Sequence, residues 1–417
     1  MHDETLSVAI KDAGETFEPP WPDVHAVTQR GRRRWWLTRT VAAAASLAVV
    51  AAAAVVVAQV GVRDPRPAPA APLRQWEPIA GAPLTGRIRT ASVWTGAELI
   101  VAGGRADDTG LAVTDGAAYD PSTGRWEEIP RIPEPAAGAT SVWTGGELIV
   151  WGGENDDKDG GFPFAGYAFE PSSRTWRALP EAPYSSRGGH SAVWTGREMI
   201  VGGGAGSTRG WGAAYDPLAD EWRRIPNGPL PRRHGHEAVW AGDRMIVWGG
   251  RSPTGVVVTD VGGAEYDPVA RRWKTLPLSP IGESTAATSL WTGEEMVITG
   301  GLSTTAASRA GAAYDPVART WREIAEAPAP PERGGGPAPL TDTHTTPVWT
   351  GERAVYVTAD GVLSYDPSAD RWARVAAPRD AWRMGATVAW TGEELLVWSG
   401  SRWDAEGYLP TGWRARG

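Results

Sequence analysis

Residues 92–104 read Ser92-Val93-Trp94-Thr95-Gly96-Ala97-Glu98-Leu99-Ile100-Val101-Ala102-Gly103-Gly104. Ser-Val-Trp alternates as a short strand does, Thr-Gly supplies a tight turn, and Glu-Leu-Ile-Val is the continuous apolar run of a strand buried on both faces. The phrase returns six more times. Its Trp stands at 94, 143, 194, 240, 291, 349 and 390, and nine residues after each lies a double glycine or its remnant: Gly103-Gly104, Gly152-Gly153, Gly203-Gly204, Gly249-Gly250, Gly300-Gly301, Thr358-Ala359 and Ser399-Gly400. Paired glycines permit positive φ and close approach of neighbouring backbone.

A second phrase follows each of the first six: Tyr-Asp-Pro with a Trp seven residues after the aromatic. It occurs as Tyr119/Trp126, Tyr215/Trp222, Tyr266/Trp273, Tyr314/Trp321 and Tyr365/Trp372, with Phe169-Glu170-Pro171 and Trp176 in the remaining place. Asp and Pro turn the chain, so the Tyr closes a third strand and the Trp lies in a fourth. A four-stranded unit recurring about every 49 residues has the period of a propeller blade.

The joined signature, a double glycine followed by Tyr and Trp with six residues between, resembles the kelch-repeat β-propellers over about residues 74–417. The resemblance implies an all-β fold, a seven-bladed kelch-like β-propeller, and leaves function open. Trp76-Glu77-Pro78-Ile79 matches the fourth-strand phrase Trp126-Glu127-Glu128-Ile129 but has no strands before it. It is predicted to complete a seventh blade whose other strands come from the C-terminus, with Trp413 as the competitor for that edge.

The 417 residues include 24 Trp, 52 Gly, 35 Pro and no Cys. Disulfides, thiolate metal sites and Cys nucleophiles are thereby excluded. So is the chemistry of the galactose oxidase-like members of the resembled family, which depend on copper and a Tyr joined to a Cys. The only lysines are Lys11, Lys158 and Lys274, a bias toward Arg that suggests a high-GC genome.

Residues 1–40 carry six bases and six acids, so the net charge of −8 lies beyond them. An acidic domain offers no electrostatic footprint for nucleic acid, and none is expected as a partner. Val41 to Val62 is a run of 22 residues without a charge, long enough to cross a ~30 Å hydrocarbon core. A buried helix and a cleaved signal are the competing readings; the absence of a polar face and of a clean cleavage site favours an uncleaved single-pass anchor. Arg32-Arg33-Arg34 before the run places the N-terminus in the cytoplasm and the propeller outside the cell membrane. The expected organisation is a tail at 1–40, a transmembrane helix at 41–62, a Pro-rich stalk at 63–73 and the propeller at 74–417. In the tail, Pro19-Pro20-Trp21-Pro22 and the basic flank resemble the heads of actinobacterial membrane regulators.

Seven residues before the first-strand Trp stands an arginine in four units: Arg87, Arg187, Arg233 and Arg383. His190 and His236 stand four before theirs, with His234 beside. A ring of such residues at the channel mouth is suited to clamping a carboxylate or phosphate. In the competing reading each arginine ties its own loop to a nearby carbonyl or acid. The connection Ala325–Thr346 is ten residues longer than its counterparts, read either as neutral drift or as a flap. Asn155-Asp156-Asp157-Lys158-Asp159-Gly160 opens like a calcium loop but has Gly166 at the closing position, so it reads as a solvated turn. No cofactor or metal is expected. The expected function is a membrane-anchored extracytoplasmic module that binds a protein or an anionic carbohydrate at the cell envelope. The alternative is a propeller enzyme acting on a sugar acid, epimerase- or lyase-like, since the resembled family includes sialic acid epimerases.

Overall fold

The computed structural model describes residues 73–106, 109–154, 166–184, 188–204, 211–252, 262–282, 284, 286–301, 308–329, 347–402 and 407–417. The expected tail, anchor and stalk up to residue 72 lie outside these residues, as do Arg187, Asn155 to Gly160 and most of the long insertion. Among the described residues no helix is long and apolar enough to cross a membrane.

Seven four-stranded antiparallel sheets follow one another around a ring. In blade 1 the strands a to d are Ala91–Trp94, Leu99–Ala102, Gly116–Asp120 and Arg125–Ile129. In blade 4 they are Glu237–Trp240, Met245–Trp248, Gly263–Asp267 and Arg272–Thr275. The a strands of successive blades touch in order from blade 1 to blade 7 and back to blade 1, so they form the innermost circle. A wholly apolar strand b follows from this stacking. Leu99 and Val101 pack toward Leu396 and Trp398 of blade 7, whereas Ile100 packs toward Leu148, Val150 and Phe169 of blade 2. Both faces of the strand are core, so alternation with polar residues has no place to occur.

The fourth-strand Trp performs the same task seven times. The indole Nε1 of Trp76, Trp126, Trp176, Trp222, Trp273, Trp321 and Trp372 donates to a carbonyl just past strand d of the preceding blade, at 2.7–3.0 Å. In blades 1, 3, 4, 5 and 6 the third-strand Tyr packs on that Trp with ring centroids 5.0–5.1 Å apart. A bulky ring that also donates a hydrogen bond is what this position requires.

Blade 7 is built from both ends of the chain. Its strands a to c are Thr387–Trp390, Glu394–Trp398 and Gly412–Arg416, and its strand d is Gln75–Ile79. Trp413 lies inside strand c, opposite Val397 and Pro78, and does not occupy the outer edge. Gln75 and Glu394 both stand opposite Arg416. The chain therefore enters the ring on the face formed by the a–b and c–d turns. The d–a and b–c connections occupy the other face.

Candidate functional site

Arg87, Arg233 and Arg383 are among the most buried side chains, at 1%, 1% and 0% exposure. Each guanidinium reaches the residue sixteen positions later in its own blade, at the end of strand b. Nη1 donates to Gly103 O at 3.2 Å, Gly249 O at 2.8 Å and Ser399 O at 3.1 Å respectively. The same Nη1 also reaches a carbonyl just before strand c, at Asp115, Gly262 or Thr411. Arg87 adds a bidentate pair with the Asp115 carboxylate at 2.8 and 3.1 Å. Burial works against the Asp115 charge, yet the hydrogen bond and charge of Arg87 hold its carboxyl below the usual range. These three arginines are internal ties. Their guanidinium groups are buried and donate to carbonyls of their own blades.

The carbonyl of the same position joins adjacent blades. The second glycine of one blade donates to it in the next: Gly104 to Ala136, Gly204 to Arg233 and Gly250 to Ser284, all at 2.9 Å. At the joint between blades 7 and 1, Ser399 replaces the first glycine with φ 58°. Its hydroxyl accepts from Arg87 N at 2.7 Å and donates to Arg87 O at 2.8 Å, bonds that offset the strain of a side chain in left-handed backbone.

His190 and His236 belong to a belt of polar contacts between neighbouring a strands. Thr140 meets His190 Nε2 and Ser191 meets His236 Nε2, both at 2.8 Å, and Thr387 meets Thr90 in the corresponding places at 2.8 Å. Each histidine ring lies against the first glycine of the preceding blade, Gly152 or Gly203, where a Cβ would collide with it. His236 is buried, and burial pushes its pKa down to about 3, so it is neutral across the ordinary range. Among the described residues its Nδ1 has no hydrogen-bond partner.

The belt changes character in blade 4. The position three before the Trp is Ala91, Thr140, Ser191, Thr288, Thr346 or Thr387 in the other blades and is Glu237 here. Its carboxylate accepts from Ser289 Oγ of blade 5 at 2.8 Å, and burial raises its pKa to about 7. A carboxyl of this kind exchanges a proton near neutrality.

The two shifts act on stability in opposite directions. Between about pH 4.5 and 7 the folded chain holds a proton on Glu237 that the unfolded chain has released, so stability falls as pH rises through that window. Between about pH 3 and 6.5 the unfolded chain binds a proton that buried His236 refuses, so stability falls as pH drops. Glu237→Gln is expected to remove the alkaline fall, worth at most about 3 kcal/mol and less to the extent that water reaches the part-exposed side chain. His236→Asn is expected to soften the acid fall. Denaturant titrations of both variants from pH 3 to 8 check the signs; parallel wild-type and Glu237→Gln curves defeat the first.

Two cavities lie on opposite faces of the ring. One, of about 270 Å³, opens on the connection-bearing face between blades 3 and 4 and is lined by Trp211, Asn227, Leu230, exposed Arg232 and buried Arg233. The other is a depression of about 970 Å³ among the turns of blades 7, 1 and 2, with Glu98, Asp120, Glu170 and Glu393 on its walls. Among the described residues no group of three His, Cys, Asp or Glu side chains is placed to hold a metal ion.

This ring is similar to a solved propeller. The structure titled "Structure of YjhT" matches it with a TM-score of 0.51 at 14% sequence identity, over 80% of this chain and 95% of that one. The likeness extends to fold alone. No protein-family model and no curated protein matches the sequence.

Within the fold, Arg233 and His236 come together beside the 270 Å³ pocket, and His190 lies one blade away. Arg87 and Arg383 serve other joints. Arg232, Trp211 and Glu237 are the residues that the spacing of arginines and histidines did not single out. Glu237 carried a visible signal, being the one charged residue at a position otherwise small or hydroxylated.

Proposed function

We propose that the chain is a kelch-type propeller tethered to a cell membrane by residues 41–62, with its N-terminus in the cytoplasm, and that it acts as an extracytoplasmic binding module for an anionic ligand. One observation carries the reading. Strand d of blade 7, Gln75–Ile79, enters the ring on the turn-bearing face directly after the Pro-rich segment and the uncharged run. A tether arriving there leaves the connection-bearing face, with the Arg232-lined pocket, directed away from its attachment. Arg232 is exposed beside an apolar wall of Trp211 and Leu230, a combination suited to a carboxylated sugar or an acidic peptide side chain.

A screen of full-length protein in detergent against anionic and neutral wall polysaccharides tests this. Arg232→Ala is expected to weaken binding of the anionic members at least about tenfold while leaving the melting temperature within a degree or two, as surface substitutions do. Equal binding by wild type and variant removes the pocket from the reading. A second reading, a propeller enzyme that epimerises or eliminates a sugar acid, is favoured by Glu237, whose carboxyl is poised near pH 7. Turnover of a sugar acid that disappears in Glu237→Gln supports that reading.

A further inference from the structure

Five large apolar side chains are exposed among the described residues, and three of them occupy one position of the c–d turn in consecutive blades. Leu218, Val269 and Val317 of blades 3, 4 and 5 are each 92% exposed. Each follows the Asp-Pro pair and is held rigidly. The Asp carboxylate accepts the backbone N–H of the apolar residue at 3.0, 2.9 and 2.7 Å, and that of the next residue at 3.3, 2.8 and 2.9 Å. In blades 1, 2 and 6 the same position is Ser122, Ser172 and Ser368, whose hydroxyls donate to their own turn carboxylates. The c–d turns of blades 3 to 5 are therefore tipped with apolar side chains and those of blades 1, 2 and 6 with serines. The large depression, walled by turns of blades 7, 1 and 2, lies outside the apolar sector.

We propose that Leu218, Val269 and Val317 insert into the interfacial region of the lipid bilayer to which the chain is tethered. The inference rests on the tether proposed above. The chain enters the ring on this same face, at blade 7, and blades 3 to 5 lie across the ring from it. A single attachment leaves the ring free to tilt about that point; apolar tips on the far side hold the face against the surface. Three separate tips, each a lone side chain on a stiff turn, form no continuous patch or groove for a protein to fill. A fluid surface closes around each of them. Ten residues of Pro-rich chain, about 30 Å when extended, allow the approach.

The absence of cysteine makes the test direct. Full-length chains carrying Leu218→Cys, Val269→Cys or Val317→Cys, and the controls Ser122→Cys, Ser172→Cys or Ser368→Cys, are labelled with an environment-sensitive fluorophore. They are reconstituted in phosphatidylethanolamine–phosphatidylglycerol vesicles containing nitroxide-headgroup lipid. Labels at the three apolar positions are expected to be quenched at least about twofold more than those at the serine positions. Equal quenching in chains that float with the vesicles overturns the insertion and leaves the tether standing. Chains that fail to float overturn the tether, and the insertion with it. Labels that are unquenched in pure lipid but shielded in native membranes replace the bilayer with a protein partner, and so also overturn the proposal.

Discussion

A full-length chain whose residues 73–79 are replaced by a Gly-Ser segment of equal length is expected to unfold at least about 10 °C below the wild type and to associate on size-exclusion chromatography. The replaced segment is strand d of blade 7, the one strand that joins the two ends of the chain. Leu73 and Ile79 are buried, at 7% and 5% exposure, and full burial of such side chains is worth about 1.5–3 kcal/mol each. Trp76 loses its bond to Ala376 O, and the acceptor that Trp126 uses at Ala80 O is no longer held by the strand before it. Hydrogen bonds of this kind contribute about 1 kcal/mol apiece. The loss is therefore on the order of 5 kcal/mol, a third or more of the stability of a typical domain. Strand c, Gly412–Arg416, is left with a bare edge, which explains the expected association. Calorimetry of the two chains decides the matter: an unchanged transition shows that six blades and an incomplete seventh hold themselves together without closure.

That closure was legible because it depends on local chemistry that repeats. Trp76-Glu77-Pro78-Ile79 has the residues of a fourth strand, and a fourth strand without its partners has one place to go in a ring. Trp413 was the harder residue. Its sequence position suggests an edge strand, but its neighbours Val397 and Pro78 place it between two strands, a matter of pairing that residue spacing does not encode. The Trp of strand d was legible as an inter-blade filler from its size. Its hydrogen bond to the preceding blade was not, because the acceptor lies 42 to 47 residues away in six blades and 300 in the other.

The site was read less well than the ring. Spacing located Arg87, Arg233 and Arg383 at one structural position without saying which way their guanidinium groups turn. The direction is set by the carbonyls at the end of strand b, where Gly103, Gly249 and Ser399 all have positive φ. Glu237 and the exposed tips Leu218, Val269 and Val317 call for a different kind of reading. Each departs from its counterparts in other blades, and such departures show only when the repeats are set against one another. In a repeat protein the shared residues describe the scaffold, and the exceptions are the better candidates for function.

Arg383→Met is expected to lower stability by about 3–5 kcal/mol, measured by denaturant titration of the full-length chain at pH 7. The methionine fills much of the volume but makes none of the bonds. Asp380 O, Ser399 O, Thr411 O and Thr411 Oγ1 now accept from Arg383 at 2.6–3.1 Å. In the variant they are left without that donor at a site with no side-chain exposure, and each unsatisfied buried group costs about 1–3 kcal/mol before any water enters. Burial depresses the pKa of Arg383 to about 10, a measure of how strongly the site opposes a charge whose direct partners are carbonyls and a hydroxyl. Arg87→Met provides the contrast, because Arg87 also holds the Asp115 carboxylate. The depressed Asp115 pKa means that this part of the stabilisation is present above the ordinary carboxylate range and disappears as pH falls through the folded-state value. The penalty of Arg87→Met should therefore shrink in acid, whereas that of Arg383→Met should persist. If both penalties stay below about 0.5 kcal/mol, the size usual for surface substitutions, the arginines are not structural ties and the anion clamp regains its place.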